Sequence, residues 1–260
     1  MLIKDKEKYV GTLIALWNKV FGDDEEYIKL FFKEAYFDGE CFAEISGGKV
    51  VSAFYLLKCS IKYQGKIYRG RYLYAAATLP EYRGLGLMGK LIKEAQDYIK
   101  SEGLDFIALV PAGDSLYDYY GKFGYKESMY KYRLGINKEY ATLRAFGEIT
   151  DPLEFHRIRS SADSDMLVYN DICNKYAFEC LNYTGVRVFS LSEDAYYARG
   201  EELFCSDKET ALKLINNLSG ESVVYTNCDI GEAEKIRNGM IFSSDDNLFF
   251  NDIYMNIALD

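Results

Sequence analysis

The chain has 260 residues, 49% of them hydrophobic and 27% charged, enough to bury one large core or two small ones. Its 31 basic and 40 acidic side chains leave a net charge of −9, which excludes general nucleic-acid binding through a basic face and permits a cationic or amine substrate. No apolar run approaches the roughly 20 residues that a spanning helix needs, so no membrane partner is expected.

The first stretch, residues 5–20, carries Val10, Leu13, Ile14, Trp17 and Val20 at helical spacing, and Gly22 ends it. Acids among its lysines and the lack of a small-residue cleavage site make it an amphipathic helix rather than a signal peptide. Asp23 or Asp24 can cap a second helix that buries Tyr27, Ile28, Leu30, Phe31 and Phe32. From Cys41 the period changes. CFAEI, the turn Ser46-Gly47-Gly48-Lys49 and VVSAFYLLKCSIKY predict a hairpin, and Gln64-Gly65 turns into KIYRGRYLYAAATL. An antiparallel meander therefore leads into Pro80.

Next comes Arg83-Gly84-Leu85-Gly86, and a helical pattern opens at about Leu87. A strand, a glycine turn and a helix start make a natural anion site. The first helical amides have no internal partners, and the helix dipole puts partial positive charge there. Gly84 and Gly86 let the backbone come close to a phosphate. The helix buries Leu87, Met88, Leu91, Ile92, Ala95, Tyr98 and Ile99 and closes at Gly103; LDFIALV is then a short strand, paired in parallel. Asp114 or Ser115 can cap a short helix with Leu116, Tyr117, Tyr119 and Tyr120, ended by Gly121 to Gly124 before a strand at Tyr125.

These residues resemble the Gcn5-related N-acetyltransferase (GNAT) superfamily. Its acyl-CoA motif runs Arg/Gln-x-x-Gly-x-Gly/Ala; Arg83 and Gly86 match, and Met88 stands at the last position. Its final motif ends Tyr-x-x-x-Gly-Phe; here Tyr120 and Gly124 match, Tyr125 replaces the phenylalanine, and the asparagine often seen earlier has no counterpart at Gly113 or Asp114. The resemblance covers about residues 40–130 and implies a mixed, mostly antiparallel sheet with helices on both faces. It also implies acetyl-CoA as co-substrate, its pyrophosphate held by Arg83, Gly84, Leu85, Gly86, Leu87, Met88 and Gly89. Ala75, Ala76, Ala77 and Leu79 become candidates to hydrogen-bond pantetheine or the acetyl carbonyl. Tyr120 becomes the acid that protonates the departing thiolate, a task that a phenol protonated at neutral pH can perform.

The second half predicts a smaller α/β unit. Residues 136–150 read as a linker, and Asp151-Pro152 as a boundary. LEFHRIR reads as a strand, DMLVYNDICNKYAFECL as a helix, VRVFSLS and AYYARGEELFCS as strands. KETALKLINNLSG is a helix capped by Asp207 and stopped by Gly220, and ESVVYTN and FFNDIYMNIALD are strands. Order and length resemble the two-part GNAT proteins similar to the mycobacterial enhanced-intracellular-survival acetyltransferase. That implies a domain at 1–135, a linker, and a smaller degenerate GNAT-like domain at 151–260 walling the acceptor pocket, without the sterol-carrier-like domain of that group.

Cys41, Cys59, Cys173, Cys180, Cys205 and Cys228 form no C-x-x-C pair, which reads as reduced thiols in a cytoplasm, and the lone His156 argues against a metal. The expected activity is direct acetyl transfer to a primary amine of a small molecule or peptide, and an oligomer is allowed. A non-catalytic acyl-CoA sensor on the same fold is the alternative. A dinucleotide-binding enzyme is disfavoured because the loop follows an antiparallel meander. Glu40, Glu44 and Glu81, in or near the relevant strands, are the acids considered as base, and the resemblance to the two-part family adds the terminal carboxylate at Asp260.

Overall fold

The computed structural model describes residues 1–136, 147–162, 164–199, 201–215, 222–231 and 233–255. Its first elements follow from local chemistry. Helix α1 (Lys6–Phe21) starts where the Asp5 carboxylate accepts from the Lys8 amide and stops at Gly22, which takes the left-handed φ of 75°. Asp24 caps α2 (Glu25–Glu34) by accepting from the Glu26 amide. Strands β1 (Glu40–Ser46), β2 (Lys49–Tyr63) and β3 (Lys66–Thr78) form the meander. A single 3-10 turn (Pro80–Tyr82) leads to α3 (Leu87–Ser101), then β4 (Phe106–Leu109), α4 (Asp114–Gly121) and β5 (Lys126–Ile136).

The later elements are β6 (Gly147–Glu148), α5 (Pro152–Ser161), β7 (Met166–Tyr169), α6 (Asp171–Tyr183), β8 (Val188–Ser192), β9 (Ala195–Ala198) and β10 (Glu202–Cys205). They end with α7 (Lys208–Ile215), β11 (Ser222–Thr226), β12 (Glu234–Ser243) and β13 (Ile253–Tyr254). Among the described residues, thirteen strands join one mixed, mostly antiparallel sheet, ordered β12-β4-β3-β2-β7-β13-β5-β11-β10-β9-β8-β6, with β1 on β2. Strand β12 also pairs with β5, so it fills the space between β4 and β5.

Helices cover both faces. Leu13, Leu16 and Trp17 of α1, Ile28 and Phe31 of α2, and residues of α5 and α6 share one core. Leu91, Ile92 and Ala95 of α3 pack with Tyr120 of α4 on the other. The first core is dominated by rings: Trp17 lies 5.2 Å from Phe31 and 5.4 Å from Tyr74, centroid to centroid. Such pairs are worth about 0.5–1.5 kcal/mol each beyond the area they bury. A third cluster joins Ala211 of α7 to Leu203, Val224 and Leu134.

Four expectations are corrected. LEFHRIR is helical, because Asp151 is a cap rather than a boundary: its carboxylate accepts from the Leu153 amide at 2.9 Å, and Pro152 occupies the first helical position. The start of DMLVYNDICNKYAFECL is a strand, not a helix; all four residues of β7 are buried and pair with β2 and β13, so no polar face marks them. Strand β12 was not expected at all, since charges at Glu234, Lys235 and Arg237 obscure its alternation. Asp114 is the first residue of α4 and not its cap, a position held by Gly113. The stop at Gly220, most of the 136–150 linker and the base candidate Asp260 lie outside the described residues. No helix among the described residues is long and apolar enough to cross a membrane.

A buried ion pair ties the later elements together. Arg159 of α5 donates to Glu202 of β10 at 2.7 Å and to the Tyr196 hydroxyl at 2.6 Å. Tyr196 and Tyr254 donate to the two oxygens of the same carboxylate. Glu202 is fully buried and Arg159 is 3% exposed, so each charge depends on the other.

Candidate active site

The site begins with a defect in a strand. Between Ala53 and Tyr55 the β2–β3 register slips, so that Ala53 faces Ala77 while Tyr55 faces Tyr74. The extra β3 residue forms a bulge at Ala75, whose φ of 49° is left-handed and unusual for a residue with a Cβ. On the other side of β3, the parallel ladder to β4 covers only Gly70, Arg71 and Tyr72. Beyond Tyr72 the two strands part, and β3 runs on to Thr78 without β4 beside it. The bulge therefore lies at the edge of a gap in the sheet.

The glycine loop closes one end of this gap. Gly84 and Gly86 have φ of 76° and 75°, and a Cβ at either would meet nothing within 4 Å. Their requirement is conformational, and the space above them is open. Gly86 is the N-cap of α3 and offers no side-chain cap, which leaves the first amides of α3 free of a capping side chain. Gly89 has a different reason: a Cβ there would stand 2.8 Å from Phe123, so it lets α3 approach the end of α4. Arg83 folds back and donates through Nε to the Thr78 carbonyl at 3.1 Å, which places a guanidinium at the mouth of the gap.

Helix α4 brings Tyr120 to the opposite wall. Its ring packs edge-on against Tyr119 at 5.3 Å and Tyr125 at 5.7 Å. Tyr120 is only 7% exposed, and burial, with a smaller contribution from Tyr119, raises its pKa well above the ordinary phenol value. The phenol keeps its proton across the physiological range.

These elements enclose a cavity of about 670 Å³. Of the residues predicted from sequence, Ala76, Arg83, Gly84, Gly86, Leu87, Met88, Gly89 and Tyr120 line it. Ala75 forms the bulge beside it, while Ala77 is buried opposite Ala53, and the Leu79 amide is taken by the Val51 carbonyl. Leu85 points outward, 66% exposed. Met88 sits in the first turn of α3 as a cavity wall, a place where its side chain is accommodated. Val20, Thr78, Tyr82, Leu116 and Tyr119 also line the cavity. Of these, Val20 had been read only as core, because nothing in the periodicity of α1 distinguishes a residue facing a gap from one facing a strand.

Three of the considered bases, Glu40, Glu44 and Glu81, are elsewhere. Glu40 is gripped by Arg71 at 2.7 and 2.8 Å and accepts from Tyr98, and Glu44 pairs with Lys90 at 2.8 Å. Neither these nor Glu81 lines the cavity.

Splayed strands, a bulge, a glycine loop on a helix start and a buried tyrosine thus meet at one cavity. Residues 3–128, just under half of the chain, match the family model of the acetyltransferase (GNAT) domain. The fold likeness extends further. A probable N-acyltransferase from Enterococcus faecalis is 15% identical with a TM-score of 0.69, over 94% of this chain and 72% of that one. Eis1 from Mycobacterium abscessus is 10% identical with a TM-score of 0.68, over 94% and 74%. A GCN5-related N-acetyltransferase from Kribbella flavida is 17% identical with a TM-score of 0.64, over 94% and 72%. The likeness in fold thus runs over nearly the whole of this chain. No curated protein matches the chain by sequence.

Proposed function

We propose that the protein is an N-acetyltransferase that moves the acetyl group of acetyl-CoA to a primary amine of a small molecule or peptide. The observation that carries this reading is the convergence on one cavity of the α3 N-terminus, the β3 edge at Ala76 and the Tyr120 ring. The amides of Leu87, Met88 and Gly89, with Arg83, suit the pyrophosphate. The unpaired edge of β3 suits the amides of pantetheine, which would pair with it as a strand would. The bulge supplies a backbone donor near the acetyl carbonyl, where negative charge develops.

The amine nitrogen attacks the carbonyl carbon, the C–S bond breaks, and Tyr120 donates its proton to the departing thiolate. The amine's own proton leaves to a base or solvent, so one proton is taken up and one released. Holding both reactants in the gap replaces a bimolecular encounter. The second half, in this reading, is a smaller GNAT-like unit that walls the acceptor side, and the protein works in the cytoplasm with reduced thiols. The test is thiol release from acetyl-CoA against a panel of amines. Turnover with at least one amine is expected; binding of CoA with no turnover on any amine would replace this reading with that of a sensor.

A further inference from the structure

We propose that Val20 sets the length of the acyl chain that the site accepts. The proposal rests on the reading of the cavity as an acyl-CoA site and adds a selectivity to it.

The cavity crosses the sheet. Ala76, Met88, Leu116, Tyr119 and Tyr120 belong to the core under α3 and α4. Val20 belongs to the core on the opposite face, under α1 and α2, yet it lines the same cavity. It is the one lining residue from α1. The opening exists because β3 and β4 are paired only up to Tyr72 and the β3 bulge follows at Ala75. The neighbouring contact fixes the approach: Trp17, one turn earlier on α1, packs 5.4 Å from Tyr74, the residue before the bulge. Three residues on along α1, Val20 lines the cavity together with Ala76 and Tyr120.

A CoA thioester has its phosphates and its acyl group at opposite ends of the pantetheine arm. With the phosphates at Gly84 and Gly86, the sulfur falls within reach of Tyr120, and the acyl group extends past Ala76 toward Val20. Valine suits a length gauge. It is branched at Cβ and stiff at χ1, so it cannot swing aside for a longer chain. Trp17 is 3% exposed and tightly packed, which holds that turn of α1 in place. Alanine at position 76 leaves room on the strand side, so the gap between the two residues determines the limit.

The experiment is calorimetric titration of the full chain with CoA, acetyl-, propionyl- and butyryl-CoA, for wild type, Val20→Ala and Val20→Phe. One methylene in a fitted apolar pocket discriminates by about 10-fold or more. Relative to free CoA, Val20→Ala should improve butyryl-CoA affinity by about 10-fold. Val20→Phe should weaken propionyl- and butyryl-CoA relative to acetyl-CoA by a similar factor. Opposite shifts from two substitutions cannot come from a general loss of fold. If wild type and both variants bind free CoA but rank the three thioesters identically, the gauge is refuted. If wild type binds no CoA, the acyl-CoA reading itself fails and the gauge with it.

Discussion

Replacing Gly86 by alanine tests the glycine loop most directly. The added methyl would collide with nothing, since no atom lies within 4 Å of its ideal position. Its cost comes from the φ of 75°, where an L-residue is disfavoured by roughly 1–2 kcal/mol. Loss of glycine's freedom in the unfolded chain returns about 0.4–1 kcal/mol. The net destabilisation is therefore about 1 kcal/mol, or roughly 2–4 °C in Tm for a chain of this size. Binding should suffer more. If the loop relaxes to negative φ, the α3 amides turn away from the phosphates, and one charge-assisted hydrogen bond is worth about 1.5–3 kcal/mol. CoA affinity should fall by at least about 10-fold. Gly11, in the middle of α1 with open space and an ordinary φ, is the internal control; alanine there should stabilise by about 0.5–1 kcal/mol. Scanning calorimetry and CoA titration on both variants decide the matter. Gly86→Ala with wild-type Tm and wild-type CoA affinity would falsify the anion-loop argument.

Three further outcomes are expected. Tyr120→Phe should lower thiol-release turnover by about 10²-fold or more while CoA affinity changes little, and the wild-type rate should show no loss from phenol deprotonation below about pH 10. Glu202→Gln leaves the Arg159 guanidinium buried without its counter-charge and should destabilise by about 3–5 kcal/mol in denaturant unfolding, whereas an unchanged midpoint would mean the pair is dispensable. His156 has its pKa lowered mainly by burial, against the attraction of Asp171, and its Nδ1 accepts from the Asn174 amide. The unfolded chain then binds more protons than the folded one just below the ordinary histidine pKa of about 6.5, so stability should fall as pH drops through that value. The denaturation midpoint should be flatter across this range in a His156→Gln variant.

The first half was legible because local and tertiary signals agree there. The cap at Asp24, the glycine stops and the two-residue alternation all specify elements that pack with sequence neighbours. The glycine loop and Tyr120 were legible because their residue types are demanded by backbone geometry and by chemistry. The bulge at Ala75 was not, since three alanines carry no mark of a left-handed φ. Nor was β12, whose outer half presents Glu234, Lys235 and Arg237 to solvent and whose buried part, Asn238 to Ile241, begins with an amide and a glycine. Its assignment depends on partners far away in sequence, which local pattern does not encode. Helix α5 shows the opposite failure: an Asp-Pro pair reads as punctuation, although the same pair is a strong helix start.

The pairing of β5 has a consequence for how the protein is made. Its three partners, β11, β12 and β13, all come later in the chain, and β4 waits for β12 along one edge. Until the ribosome has passed residue 222, β5 has no neighbour on which to form, and until it has passed residue 234, β4 shows an open edge. Maturation of the site is thus timed by the last segment to emerge, and late, long-range closure of this kind is slow. Every residue that lines the cavity thus emerges before the strands that complete the sheet beside it.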